Sequence, residues 1–286
     1  MTLLIDSLAS ISANYEVLFC DVWGVLHDGQ RSFRGACRAL IDWRAHRGPV
    51  ILVSNSPRPA PDVRRQLIEL GVPENAWSEL VTSGDATRQL IADRGPGTVY
   101  TIGPDRDGAL YDGFDLRFTN LDLARFIVCT GPREDEFETP EDYRELLLEG
   151  VQRGLDMICA NPDRLVQRGS RLVYCGGALA DLYAQLGGQV LMAGKPHDPI
   201  YDLSILKAGK LMAKDVQAHE ILAIGDGLAT DIAGANRRGV DALFIASGIN
   251  ESFIAGMDGR LDAQAVDGLL DRAGVSAKFT MAELAW

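Results

Sequence analysis

CDVWGVLHDG, residues 20–29, is the stretch on which the reading of this chain turns. The apolar run Val17, Leu18, Phe19 leads into Asp21. Gly24 follows three residues later, and a second apolar pair, Val25 and Leu26, comes after it. That order predicts a carboxylate displayed at the end of a buried strand. Two residues beyond Asp21 stands Trp23, so the stretch offers one acid and an indole where two acids would read as a nucleophile with its acid/base partner.

Runs like 17–22 recur at 49–54, 98–103, 125–131, 155–161, 221–227 and 241–247. Each is short, apolar and rich in β-branched residues, as a strand buried on both faces requires. Helical patterns lie between them. Phe33, Cys37, Leu40 and Ile41 share a face ahead of Gly48, and Pro61 opens a second helix that Gly71 closes. DPIYDLSILKAGKLM and ATDIAGANRRG read as two more. This alternation predicts an α/β fold with a Rossmann-like, doubly wound parallel sheet. The texture changes in the middle, where GPREDEFETPEDY is acidic and YCGGALADLYAQLGG is rich in glycine. A second α/β unit over 91–188, inserted between 1–90 and 189–286, accounts for it.

The 286 residues carry a formal net charge of −12, 47% hydrophobic and 24% charged residues. This is the composition of a globular protein, and the acidic balance disfavours a nucleic-acid partner. Cys20, Cys37, Cys129, Cys159 and Cys175 are scattered without a CxxC pair, which points to a reducing, cytoplasmic compartment. The opening residues have no basic region before their apolar part, and no run approaches a membrane span, so neither a signal peptide nor a membrane partner is expected.

Functional groups in open parallel sheets gather at the carboxyl ends of strands. Those ends give Asp21, Ser54 with Asn55, and Asp226 with Asp231 five residues on; Lys195 precedes a helix that starts near Pro199. Singly, each reads as a turn former, a cap or a solvated lysine. Together, three acids at one sheet edge would repel one another unless a cation sits among them, and an all-oxygen set suits Mg²⁺.

In this order the set resembles the haloacid dehalogenase superfamily: DVWGV for its first motif, VSNS for its second, GKP for its third and GDGLATD for its fourth. VTSGDATRQLI, CANPD and GKPHDPIY resemble the branch called subfamily IIA, the NagD-like and nitrophenylphosphatase-like sugar or nucleotide phosphatases. The resemblance implies a core domain over 1–90 and 189–286 and a C2-type cap domain over 91–188. It implies a Mg²⁺-dependent phosphatase acting on a small phosphorylated metabolite through an aspartyl-phosphate on Asp21. Mg²⁺ would be held by Asp21, the Trp23 carbonyl, Asp226 and Asp231. Ser54, the backbone around Asn55, and Lys195 would hold the phosphoryl group, and Asn161 and Asp163 would face substrate from the cap. Caps of this branch often pair subunits, which implies a homodimer.

Trp23 departs from the family pattern. Indole donates a hydrogen bond but does not exchange protons usefully, whereas a main-chain carbonyl at this position is unaffected. Loss of a general acid costs about 10²–10⁴-fold. His27, just past the motif, is the candidate acid/base substitute. Two other readings stay open: a non-catalytic phosphometabolite-binding protein, and a metal-independent 2-haloacid dehalogenase, whose family members carry an aromatic at the same position.

Overall fold

The computed structural model describes residues 1–168, 171–247 and 261–286. Strands are numbered along the chain. One sheet holds β1 (Leu3–Leu4), β2 (Val17–Cys20), β3 (Val50–Ser54) and β4 (Glu79–Thr82), with β12 (Ile221–Gly225), β13 (Asp241–Ile245) and β14 (Phe279–Met281). A second holds β5 (Gly97–Ile102), β6 (Leu116–Phe118), β7 (Phe126–Cys129), β8 (Asp156–Cys159) and β11 (Gln189–Met192). Between β8 and β11 the antiparallel pair β9 (Leu165–Arg168) and β10 (Arg171–Tyr174) stands as a separate hairpin.

The first sheet runs β1-β14-β13-β12-β2-β3-β4, and every pairing from β1 through to β3 is parallel. Its central strands β2, β3 and β12 are buried at every residue, which is why they read as unbroken apolar runs rather than alternating ones. From β2 the chain winds outward to β3 and β4, and from β12 it winds the other way to β13 and β14. The reversal puts a topological switch point between β2 and β12, where the carboxyl ends of two neighbouring strands open a crevice.

Helices supply the layers. In α1 (Arg34–His46), Ala36, Cys37, Leu40 and Trp43 recur at helical spacing and are buried. The C-terminal helix Ala263–Ala273 starts at Asp262, whose side chain accepts the N–H groups of Gln264 and Ala265, and stops at Gly274 in the left-handed region (φ 67°).

The second sheet, in order β11-β8-β7-β5-β6, is parallel throughout. Alternate residues of its strands feed two cores. Ile127, Cys129, Met157 and Cys159 join Leu147 and Tyr183 on one side. Phe126, Val128 and Ile158 join Ile91 and Leu110 on the other. The period of two thus divides one apolar run between two helical layers.

The chain falls into two compact units, one of Met1–Ser54, Arg64–Val81 and Tyr201–Trp286, the other of Asn55–Val63 and Thr82–Ile200. No helix of the described residues is long and apolar enough to cross a membrane.

Candidate active site

Asp21 is the first residue after β2, and its N–H donates to the carbonyl of Ile224 in β12 at 2.8 Å. That bond ties the acid to the neighbouring strand at the switch point. Asp226 is the first residue after β12. Asp231 lies in a π-helical turn, Leu228–Ile232, where the N–H of Ile232 reaches the carbonyl of Gly227 at 3.1 Å. The wider turn leaves Asp231 Oδ2 to accept the Gly227 N–H at 3.1 Å, and π turns of this kind recur at functional sites.

These elements bring the three carboxylates together. One oxygen from each of Asp21, Asp226 and Asp231 lies within 4.8 Å of the others. The residues are only 5–8% exposed, so water screens their mutual repulsion weakly. Such a group asks for a cation, and the donor chemistry says which kind. All three donors are carboxylate oxygens, without histidine or cysteine, the set preferred by hard cations such as Mg²⁺ or Ca²⁺ and not by zinc.

Gly24 is what permits the cluster to close. It sits at φ +84°, and a Cβ there would fall 2.2 Å from Asp226 Oδ2. The glycine in DVWGV is therefore required twice, by backbone conformation and by the closeness of the facing acid. Its N–H donates to the carbonyl of His27 at 2.9 Å, which folds 24–27 into a tight loop.

Trp23 turns its indole to that loop. A Cβ on Gly29 would meet the ring at 2.4 Å, and the His27 ring stands edge-on with centroids 5.0 Å apart. Carboxylates separated by under 4.8 Å leave no room for an indole between them. His27 is 2% exposed, and its Nδ1 accepts the Gly29 N–H at 3.0 Å. Burial pushes its pKa down to about 4, outweighing the nearby charge of Asp28. At neutral pH burial keeps this ring neutral, with Nδ1 accepting the Gly29 N–H and the one ring proton on Nε2.

Ser54 ends β3 and is buried. In the second unit, Asn55, Lys195 and the loop 161–163 come together. Asn55 Oδ1 accepts the Lys195 N–H at 2.8 Å, and its Nδ2 donates to the Lys195 carbonyl at 3.1 Å and to Asp163 Oδ1 at 2.9 Å. Asn161 Oδ1 accepts the Asp163 N–H at 3.1 Å. The sequence marks these residues as phosphate or substrate contacts; they also hold one another, Asn55 and Asp163 through their side chains and Lys195 through its main chain. Two things escaped the sequence reading. The role of Gly24 could have been suspected from its place in the quoted stretch, but the Asn55–Lys195 pairing spans 140 residues and leaves no local signal.

A family profile described as haloacid dehalogenase-like hydrolase matches residues 18–117, and a second, HAD-hydrolase-like profile matches 192–268. A crystal structure of a hydrolase of the haloacid dehalogenase-like family from Brucella suis 1330 is 44% identical. The alignment covers 98% of this chain and 100% of that one, with a TM-score of 0.88. An acid sugar phosphatase of Staphylococcus saprophyticus is 26% identical over 239 residues, 82% of this chain and 88% of the relative. The crystal structure of the glycerol phosphate phosphatase Rv1692 of Mycobacterium tuberculosis, in complex with calcium, is 25% identical with a TM-score of 0.64. There the match covers 86% of this chain and 70% of that one.

Proposed function

Since the chain belongs to the haloacid dehalogenase-like hydrolases, we propose that it is a Mg²⁺-dependent phosphatase of a small phosphorylated metabolite, a sugar phosphate or a nucleotide. The observation that carries the reading is the buried triad of Asp21, Asp226 and Asp231, whose oxygens lie within 4.8 Å at the switch point of the first sheet. The phosphatases among its relatives, one of them crystallised with calcium, support it.

In this reading Asp21, Asp226, Asp231 and the Trp23 carbonyl hold the divalent ion, which when bound offsets the repulsion between an anionic nucleophile and an anionic substrate. A carboxylate oxygen of Asp21 attacks phosphorus as the bond to the leaving alcohol breaks, giving an aspartyl-phosphate. Water then cleaves that intermediate, returning the carboxylate and inorganic phosphate. Ser54 donates to a phosphoryl oxygen. Lys195 brings positive charge to the transferring group, the role of the lysine in the matching family motif. The second unit is the cap that selects substrate, with residues 91–188 as its body and Asn161 and Asp163 in its loop.

The chain supplies no general acid two residues after Asp21, and His27 is neutral. Substrates whose leaving group departs without a proton are therefore favoured. p-Nitrophenyl phosphate should be turned over with Mg²⁺, and alkyl phosphates should be slower by about 10²–10⁴-fold per active site. Asp21→Asn is the decisive control: an unchanged rate ends the phosphatase reading. Tight phosphate binding without turnover supports a non-catalytic binding protein instead. Chloride release from 2-chloropropionate without metal supports a dehalogenase, a reading the acid triad disfavours.

The scattered, free cysteines favour a cytoplasmic setting. The net charge of −12 disfavours a nucleic-acid partner, and no membrane partner is proposed. A homodimer through the second unit is supported by the hairpin, where Leu165 faces Tyr174 across the strands and Leu172 lies on the same side, all exposed. Light scattering on Leu172→Asp checks it: a monomer where the parent chain is a dimer is expected, and equal masses refute the interface.

A further inference from the structure

Asn55 follows Ser54 directly and is 4% exposed. Its amide uses both ends on the main chain of one residue, accepting the Lys195 N–H at 2.8 Å and donating to the Lys195 carbonyl at 3.1 Å. The remaining amide proton goes to Asp163 Oδ1 at 2.9 Å. Asp163 is fixed in turn, its N–H on Asn161 Oδ1 at 3.1 Å and its carbonyl on the Gly177 N–H at 3.0 Å. The run before Lys195 is packed against the same groups. A Cβ on Gly194 would fall 2.7 Å from Asn55 Oδ1 and 2.8 Å from Pro162 Cδ.

An asparagine amide can point either way, and its surroundings choose. Turned over, its oxygen would face the Asp163 carboxylate and the Lys195 carbonyl, three acceptors with no proton among them. The carboxylate, together with the Lys195 carbonyl, therefore selects the orientation in which Asn55 can grip the Lys195 main chain. We infer that Asn55 and Asp163 are positioning residues for Lys195: Asp163 orients the amide, and the amide holds the main chain that carries the lysine. This rests on the phosphatase reading in one respect, that Lys195 is the residue that meets the phosphoryl group.

The inference predicts coupling. With Mg²⁺ present, calorimetric titration with inorganic phosphate is run on the full chain and on Asn55→Ala, Asp163→Ala and the double variant. Each single change weakens phosphate binding about tenfold, and the double variant is no weaker than either single one. Asp163→Asn keeps an acceptor oxygen and stays within about threefold of the parent chain. In all four variants the rise in melting temperature produced by Mg²⁺ is unchanged, which separates the effect from general damage. Should an alanine variant not fold, Asn55→Asp replaces it. That change also loses phosphate affinity, and adding Asp163→Asn recovers at least about threefold of it.

Additive losses in the double variant overturn the inference. So does an Asp163→Asn variant as weak as Asp163→Ala, an Asn55→Ala variant that binds phosphate as the parent does, or a parent chain that binds no phosphate. Phosphate bound with the expected coupling but nothing hydrolysed leaves the inference standing and ends the phosphatase reading.

Discussion

The two parallel sheets share one construction and carry different chemistry. In the first, the switch point lies between β12 and β2; in the second it lies between β5 and β7, where the chain runs to β6 on one side and to β8 and β11 on the other. The same backbone bond marks both. The residue after β2, Asp21, donates its N–H to Ile224 at 2.8 Å, and the residue after β7, Thr130, donates its N–H to Ile102 at 2.8 Å. One sheet presents an aspartate there and gathers two more around it. The other presents a threonine, with a buried carboxylate, Asp107, in the turn that follows β5. Topology provides the crevice twice; only side-chain identity gives one of them a set of donors that suits a cation.

The sharpest way to break this contrast is to exchange the marker residues for inert ones. Asp21→Asn should lower phosphatase turnover at least about 10³-fold, since no other group takes the place of a nucleophile. Thr130→Ala at the corresponding place should leave turnover within about threefold. Comparable losses at both positions, measured with p-nitrophenyl phosphate, would refute the division of labour.

Next in size is the response to metal. Mg²⁺ at about a hundred times its dissociation constant should stabilise the parent chain by about 2.7 kcal/mol. Asp226→Asn should lower Mg²⁺ affinity at least about tenfold and flatten that response in a melting series. A stabilisation by Mg²⁺ that survives both Asp21→Asn and Asp226→Asn would place the ion elsewhere.

Gly24→Ala tests how closely the first edge is built. Strain at φ +84° and the clash with Asp226 should cost about 1–3 kcal/mol in denaturant unfolding and weaken the Mg²⁺ response as well. Stability lost with metal affinity intact would show that Gly24 serves the loop alone.

The smallest effect belongs to the second edge. Burial raises the pKa of Asp107 above its usual 3.8, against the opposing pull of Arg106 and Arg58. The folded chain then binds this proton more tightly than the unfolded one, so Asp107 costs stability increasingly as pH rises through the window just above 3.8. Asp107→Asn should melt higher than the parent near pH 7, with the difference shrinking towards pH 3.5. A constant difference across that range would contradict the assignment.

Much of the first sheet is legible in the sequence because its central strands are buried on both faces, and continuous apolar runs ending in Asp21, Ser54 and Asp226 announce both strand and edge. The helix over Asp198–Met212 coincides with a run recognisable by its opening proline and its apolar spacing. Short edge elements are harder to read. β1 has two residues, β14 three, and β4 opens with a glutamate, so none carries enough period to stand out from a loop. The hairpin is hidden for another reason: Leu165, Leu172 and Tyr174 are exposed while Val173 is buried, and burial is what apolar patterning reports.

The sequence by itself determined that this is an α/β chain of parallel sheets, which residues end its central strands, and that the site has one acid and an indole where two acids are usual. These follow from local order, since strand burial and strand ends are written in neighbouring residues. Tertiary structure alone decided that Asp21, Asp226 and Asp231 share one small space, that the indole packs over Gly29, that His27 is buried and neutral, and that Asn55 grips the main chain of Lys195. Each of those depends on groups far apart in the chain or on the dielectric around a side chain, and neither quantity is a property of any short stretch.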